Sequence, residues 1–251
     1  MNDKVKRVLS TLTLSALVAT NAAVLMPRVA SAAEAEVKSL AGANRYETAD
    51  KINAELGTKF DKVILTSGEQ ANLVDALAAA PLAKKLGAPV VIIDHKTAKA
   101  ADVVAKINGL GAKEVYVVSG PQVISAEVKD ALRSAGMTVK ELGGKDRYET
   151  AYNIAKELGS ADTAVVVNGV TGLADAMSIA PVAAAKGWPI ILASKDDVND
   201  TYKGNYNKYY VIGGENALSA SVLNEVKNGE RIYGADRYAT NLEIVKNSRM
   251  K

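Results

Sequence analysis

A short element occurs three times in this chain, and that recurrence constrains the fold more than any other feature. Gly42-Ala-Asn-Arg45-Tyr46-Glu47-Thr48-Ala49 returns as Gly144-Lys-Asp-Arg147-Tyr148-Glu149-Thr150-Ala151 and again as Gly234-Ala-Asp-Arg237-Tyr238-Ala239-Thr240. Between the first two copies lie an aliphatic run closing in a turn (Val63 to Gly68), the stretch Leu73-Val-Asp75-Ala-Leu-Ala-Ala-Ala-Pro81-Leu-Ala83, and Gly87-Ala-Pro89-Val-Val-Ile-Ile93. Their matches after the second copy are Val165 to Gly169, Leu173-Ala-Asp175-Ala-Met-Ser-Ile-Ala-Pro181-Val-Ala183, and Gly187-Trp-Pro189-Ile-Ile-Leu192. Val115 to Gly120 pairs in the same way with Tyr209 to Gly214. A unit of roughly a hundred residues is a small domain rather than one turn of a solenoid. The organisation expected is therefore one module over 40–141, a second over 142–231, and the start of a third, incomplete repeat over 232–251.

Within each unit the pattern alternates between strand and helix. The runs 62–66, 89–93, 114–118 and 138–141 are short and rich in β-branched residues. Strands buried on both faces of a parallel sheet read this way. The intervening stretches 72–86, 97–109 and 123–135 carry Ala, Leu and Lys at helical spacing. Such alternation predicts right-handed crossovers and an α/β fold, each module a small, mostly parallel sheet with flanking helices. Residues 196–207 are too rich in Asn, Asp, Gly and Tyr for a full crossover helix, and a turn is expected there. Pro81 and Pro181 should kink or restart their helices.

Residues 1–32 are expected to form a secretory signal peptide. Lys4, Lys6 and Arg7 precede an uncharged apolar stretch, Val8 to Met26, and Ala30-Ser31-Ala32 is a small-x-small cleavage site. This segment holds four of the 31 basic side chains and one of the 28 acidic ones, leaving 27 of each in the remainder. A neutral mature chain gives no case for nucleic acid, and any affinity for anions must come from a local patch. With no Cys and one His, thiol nucleophiles and Cys-ligated metals are excluded, and no metal or cofactor is expected.

The Gly, Asn/Asp and Glu of the repeated element read as a capping box at a helix N-terminus, with Ala239 leaving the third copy incomplete. The arginine does not fit that account, since a cation in the first helical turn opposes the macrodipole. Its recurrence calls for a fixed anionic partner: a carboxylate of the same or a neighbouring unit, or an anionic polymer. Arg45, Tyr46, Arg147, Tyr148, Arg237 and Tyr238 are accordingly candidates for polymer binding or inter-module contact. Asp75 and Asp175 open Ala-rich helices after a strand and a Gly-containing turn, where a capping role is expected. Neither G-x-G-x-x-G nor G-x-x-x-x-G-K-[ST] is present to make that turn a nucleotide site. His95 reads as a lone loop histidine, and Tyr202, Tyr206, Tyr209 and Tyr210 as a solvated loop running into a strand, with sugar stacking the alternative. No catalytic triad, metalloprotease or paired-carboxylate spacing stands out, so no catalytic residue is assigned.

Taken together, Gly-x-[Asp/Asn]-Arg-Tyr-x-Thr, Asp-Ala-Leu-Ala-Ala-Ala-Pro-Leu-Ala, a Pro-led aliphatic run and a strand closing in Gly-Gly resemble the cell wall binding repeat 2 family over about residues 40–245. Such modules occur in clostridial surface-layer and cell-wall proteins. The resemblance implies Rossmann-like modules, usually three in a triangle, that anchor proteins non-covalently to an anionic cell-wall polysaccharide, and this chain is expected to be secreted and non-enzymatic. It further implies that Val91-Ile92-Ile93 and Ile190-Ile191-Leu192 match an aliphatic motif associated with anchoring. The expected location is the cell wall or surface layer, with no membrane contact after leader cleavage. The alternative is a surface-layer or assembly subunit whose contacts are with other proteins or with itself.

Overall fold

The computed structural model describes residues 38–247, so the expected leader and residues 248–251 lie outside the described residues. The first described repeat runs α1 (Arg45–Leu56), β1 (Lys62–Ser67), a 3-10 turn (Gln70–Asn72), α2 (Leu73–Ala78), α3 (Ala80–Leu86), β2 (Val90–Ile93), α4 (Ala100–Gly109), β3 (Glu114–Val117), α5 (Ala126–Ser134) and β4 (Thr138–Glu141). The second runs α6 (Arg147–Leu158), β5 (Thr163–Asn168), α7 (Leu173–Lys186), β6 (Ile190–Ala193), α8 (Asp200–Lys203), β7 (Lys208–Ile212), α9 (Ala220–Glu225) and β8 (Gly229–Ile232), and α10 (Arg237–Lys246) follows. Each repeat forms a four-stranded parallel sheet, in the orders β2-β1-β3-β4 and β6-β5-β7-β8. The registers correspond: Ile64 lies opposite Val90, and Val165 opposite Ile190.

Alternation along the strands sorts the core into three layers. Val63, Leu65, Val91, Ile93, Val115 and Val117 face α4 and α5 on the outside of the first sheet. Ala164, Val166, Ile191, Ala193, Tyr209 and Val211 do the same on the outside of the second, against Val198, Leu218 and the α9 residue Val222. The inward-facing set is a single cluster shared by both repeats: Ile64, Ala78, Leu82 and Tyr116 from the first, and Ile154, Val165, Ile179, Ala183, Trp188 and Tyr210 from the second. Trp188 and Tyr210 stack within it at 5.3 Å between ring centroids. The small side chains of α2, α3 and α7 let these helices approach closely, and Lys85 Nζ closes the junction by donating to the Leu158 carbonyl at 2.7 Å.

The two prolines behave differently. In the first repeat the helix stops at Ala78 and restarts at Ala80, with buried Pro81 in the first turn, where its missing N–H costs nothing. In the second, α7 does not restart and continues as one helix through Pro181. Both Pro181 and Met177, whose carbonyl loses its i+4 donor, are exposed, so the missing bond falls on the solvated side of the helix. The crossover at 196–207 is reduced to the single turn of α8.

Candidate functional site

The repeated element builds the same cap three times. Asn44 and Asp146 accept from the backbone N–H of Glu47 and Glu149 at 2.9 and 2.8 Å, and Asp236 accepts from Tyr238 and Ala239. Glu47 and Glu149 reach back to the N–H groups of Ala43 and Lys145. The Thr hydroxyl ties the motif to its glycine: Gly42, Gly144 and Gly234 donate to Thr48, Thr150 and Thr240 at 3.0, 2.9 and 3.0 Å. A Cβ on any of these glycines would fall within 2.6 Å of the residue at the third helical position. Close approach therefore demands glycine.

The arginine and tyrosine turn back onto the βα turn of their own repeat. Arg45 Nη1 donates to the Gly68 carbonyl at 2.6 Å, and Arg147 Nη1 to that of Gly169 at 2.5 Å. The ring of Tyr46 lies over Gly68 and that of Tyr148 over Gly169, at distances of 2.5 and 3.0 Å from where a Cβ would stand. In a doubly wound fold this turn is where a phosphate approaches the backbone; here the protein's own side chains occupy the place. The crevice between β1 and β3 is bridged as well, because Ser119 Oγ lies 2.9 Å from Thr66 Oγ1 and accepts from the Ser67 N–H at 3.2 Å. Tyr46 also donates to Glu69 at 3.0 Å, and burial together with that carboxylate pushes its pKa to about 12.

Arg147 and Arg237 also face the aspartate of the preceding repeat. Asp75 is 5% exposed, its Oδ1 has no hydrogen-bond partner, and its pKa is pushed up to about 7 by burial, against the opposing pull of Arg147. Asp175 is raised in the same way, with Arg237 opposing. No side chain caps α2 or α7, so the capping role expected of these aspartates gives way to a place at the inter-repeat junction. Asp75 is buried in the small-residue helix contact between the repeats, whereas Asp175 is half-buried beside Gly213. Arg147 is half-buried between the repeats, whereas Arg45, Arg237 and Tyr238 are exposed.

Other expectations change with the third dimension. Val91 and Ile93 face the first outer core while Ile92 is half-buried, and Ile190, Ile191 and Leu192 are buried strand residues; none presents an exposed ligand surface. Tyr202 is buried rather than solvated, Tyr209 and Tyr210 are core residues of β7, the strand into which the loop runs, and Tyr206 packs edge-on against Tyr209. His95 is half-buried, with Nδ1 2.8 Å from the Ser67 hydroxyl, which also accepts from the Glu69 N–H. Nothing in the sequence marked Ser67 as its partner. Among the described residues no group of three or more His, Cys, Asp or Glu is placed to hold a metal, and no helix is long and apolar enough to cross a membrane.

Among the concavities that adjoin these elements, two bear on how the repeats pack. An apolar groove of about 570 Å³ runs between α1, α3 and the start of β2, past Ile52, Leu56, Phe60 and Ala83. Ile52 and Leu56 are 45% and 64% exposed, whereas their counterparts Ile154 and Leu158 in α6 are 2% and 7% exposed under α2 and α3. A smaller cleft of about 300 Å³ opens where the repeats meet, lined by Gln70, Ala71, Val74, Arg147, Gly169, Val170 and Leu173. Arg147 belonged to the repeated element, but Gln70 and Val170 carried no sequence signal.

The model of the family described as cell wall binding domain 2 (CWB2) matches residues 39–129 and 141–223. An amidase enhancer of Bacillus subtilis (strain 168) is 38% identical over 216 residues, which is 84% of this chain and 29% of that protein. The N-acetylmuramoyl-L-alanine amidase LytC of the same organism is 29% identical over 218 residues, 85% of this chain and 43% of its own. Among solved structures, Cwp6 from Clostridium difficile superposes with a TM-score of 0.75 at 28% identity, covering 90% of this chain and 39% of that one. Cwp8 from the same organism gives 0.74 at 32% identity, covering 84% and 38%. The chain spans less than half the length of each of these relatives.

Proposed function

The chain belongs to the cell wall binding domain 2 family, and from that premise we propose that it holds a secreted protein non-covalently to the Gram-positive cell wall by binding an anionic wall polysaccharide. Association with the cell wall, and a place at the wall or cell surface, follow from the family match and from the wall proteins it resembles. Polysaccharide as the ligand, the anchoring role, secretion and membership of a surface layer are parts of the proposal. The observation that carries it is the match of both repeats to a wall-binding family, while the turns where this fold would take a nucleotide are filled by Arg45–Tyr46 and Arg147–Tyr148. Such a layout favours a binding module over an enzyme. The modules expected over 40–141 and 142–231 each supply one sheet and one Arg–Tyr pair to this reading.

The exposed α1 face favours a second reading. Ile52 and Leu56 lie open on a helix whose counterpart buries the same positions against a neighbouring repeat. Protein–protein contact in a surface assembly would cover them.

The two readings separate in a pull-down of the chain with intact wall sacculi and with sacculi stripped chemically of anionic polymer, across a salt series. Polymer binding predicts capture that disappears on stripping and weakens with salt. Capture that survives stripping, or self-association without wall, would overturn it in favour of the protein-contact reading.

A further inference from the structure

The cleft between the repeats has the size and chemistry of a ligand site. At about 300 Å³ it is at the lower end of ligand pockets, which run to about 1,000 Å³, and it admits one sugar-sized unit rather than a length of chain. Among its lining residues Arg147 is the one charged side chain and Gln70 the one other polar side chain. The Gly169 carbonyl fixes the guanidinium through Nη1, and this is the single hydrogen bond that the Arg147 side chain makes among the described residues. The rest of its planar fork of donors is oriented and unmatched, the arrangement that recognises a carboxylate or phosphate through two parallel bonds. Asp75 makes no hydrogen bond to it, and burial raises the pKa of that carboxyl to about 7, so at neutral pH it offsets the cation only in part. Val170, 67% exposed at the rim, offers an apolar edge for the C–H face of a sugar ring.

We propose that this cleft binds a single acidic sugar unit bearing a carboxylate or phosphate group, with Arg147 paired to the anion and Gln70 bonded to a neighbouring hydroxyl. The proposal rests on the polysaccharide reading above and gives it a location. Its walls come from two successive repeats. Arg45 and Arg237 stand at positions where the described residues supply only one wall. One repeat alone therefore makes no such site, and the described chain carries one complete copy.

The test is a titration of the full chain, followed by amide NMR shifts, with glucuronic acid, glucose 6-phosphate and neutral glucose. Saturable binding of one or both acids, with shifts at Gln70, Arg147 and Val170 and none with glucose, is the expected result. Which acid binds identifies the anionic group of the polymer. Gln70→Glu places a carboxylate at the mouth of the cleft from an exposed residue, and should weaken binding at least tenfold without altering the fold. Gln122→Glu, an equal charge change on the exposed loop before α5, should leave binding intact. Arg147→Lys keeps the charge but loses the fork, and should weaken binding severalfold. Equal shifts with glucose, or wild-type affinity in Gln70→Glu, would overturn the proposal. The sacculus pull-down run beside it separates the two levels: wall capture without a cleft titration overturns the cleft and leaves polysaccharide binding standing, whereas loss of both removes the polysaccharide reading itself.

Discussion

Replacing Asp75 by Asn tests the electrostatics of the inter-repeat junction. The carboxyl is 5% exposed, Oδ1 has no partner, and burial raises its pKa from 3.8 to about 7 in spite of Arg147. Because the folded value exceeds the unfolded one, the folded chain binds more protons than the unfolded chain between about pH 4 and pH 7. The contribution of this group is therefore fully present below pH 4 and is lost as pH rises through 7. A shift of about three units corresponds to about 4 kcal/mol at 1.36 kcal/mol per unit, and relaxation of Arg147 toward the carboxylate reduces this to about 2–4 kcal/mol. Asn mimics the protonated form at every pH. The variant should match the wild type near pH 4 and exceed it by about 2–4 kcal/mol at pH 8, or roughly 5–15 °C in Tm for a chain of this size. Urea and thermal unfolding by circular dichroism at pH 4, 6 and 8 and constant ionic strength read this directly. Asp175 contributes a slope of the same sign in both proteins, so the difference between them is the quantity to compare. A variant less stable than the wild type at pH 8, or a difference that does not change with pH, would mean that Asp75 works as an ionised partner of Arg147, and the burial argument would fall.

Two further substitutions examine the packing. Ile154→Ala should cost about 2–4 kcal/mol in urea unfolding, because the side chain is 2% exposed in the layer shared by the repeats, whereas Ile52→Ala at the matching, 45% exposed position should cost less than about 1 kcal/mol. Equal costs would show that α1 is covered in solution. Gly144→Ala brings a Cβ to 2.5 Å from the Glu149 side chain and 2.9 Å from its backbone, and should destabilise by about 1–3 kcal/mol. Gly109→Ala, in α4 with nothing within 4 Å, should be neutral or stabilise by up to about 1 kcal/mol. Thermal melts of the two compare them directly.

The strands could be read from the sequence because both faces of each are buried, which leaves unbroken β-branched runs such as Val63-Ile-Leu and Val165-Val-Val. The caps were legible for a related reason: a capping box is a local arrangement, and its spacing alone specifies the bonds. Where the environment decides, sequence reasoning failed. Pro81 and Pro181 look alike in sequence, yet one begins a helix and the other lies within one, because the second sits on a solvated face. Asp75 looked like a cap because its depth in the helix contact is set by α6 and α7, nearly a hundred residues further on. Likewise Tyr202 read as a solvated loop residue, since the single turn of α8 leaves no helical pattern to mark it as buried. The recurrence of the arginine signalled a fixed partner, but only the fold reveals a glycine carbonyl on one side and the preceding repeat's aspartate on the other.

The layer shared by the two sheets puts the period of the sequence out of phase with the period of the packing. Counted along the chain, a repeat opens at its Arg–Tyr helix and ends after its fourth strand. Counted by contacts, the unit joins α2 and α3 of one repeat to α6 and α7 of the next, and it straddles that boundary. A division at residue 141 or 142 would cross no strand or helix yet would strip half of the common layer from each piece. Exchange of a single repeat between related chains would preserve its sheet but mismatch the small residues on both sides of the joint. Adjacent repeats should therefore vary as pairs in evolution, with Ala79, Leu82 and Lys85 of one tracking Ile154, Leu158 and Ile179 of the next.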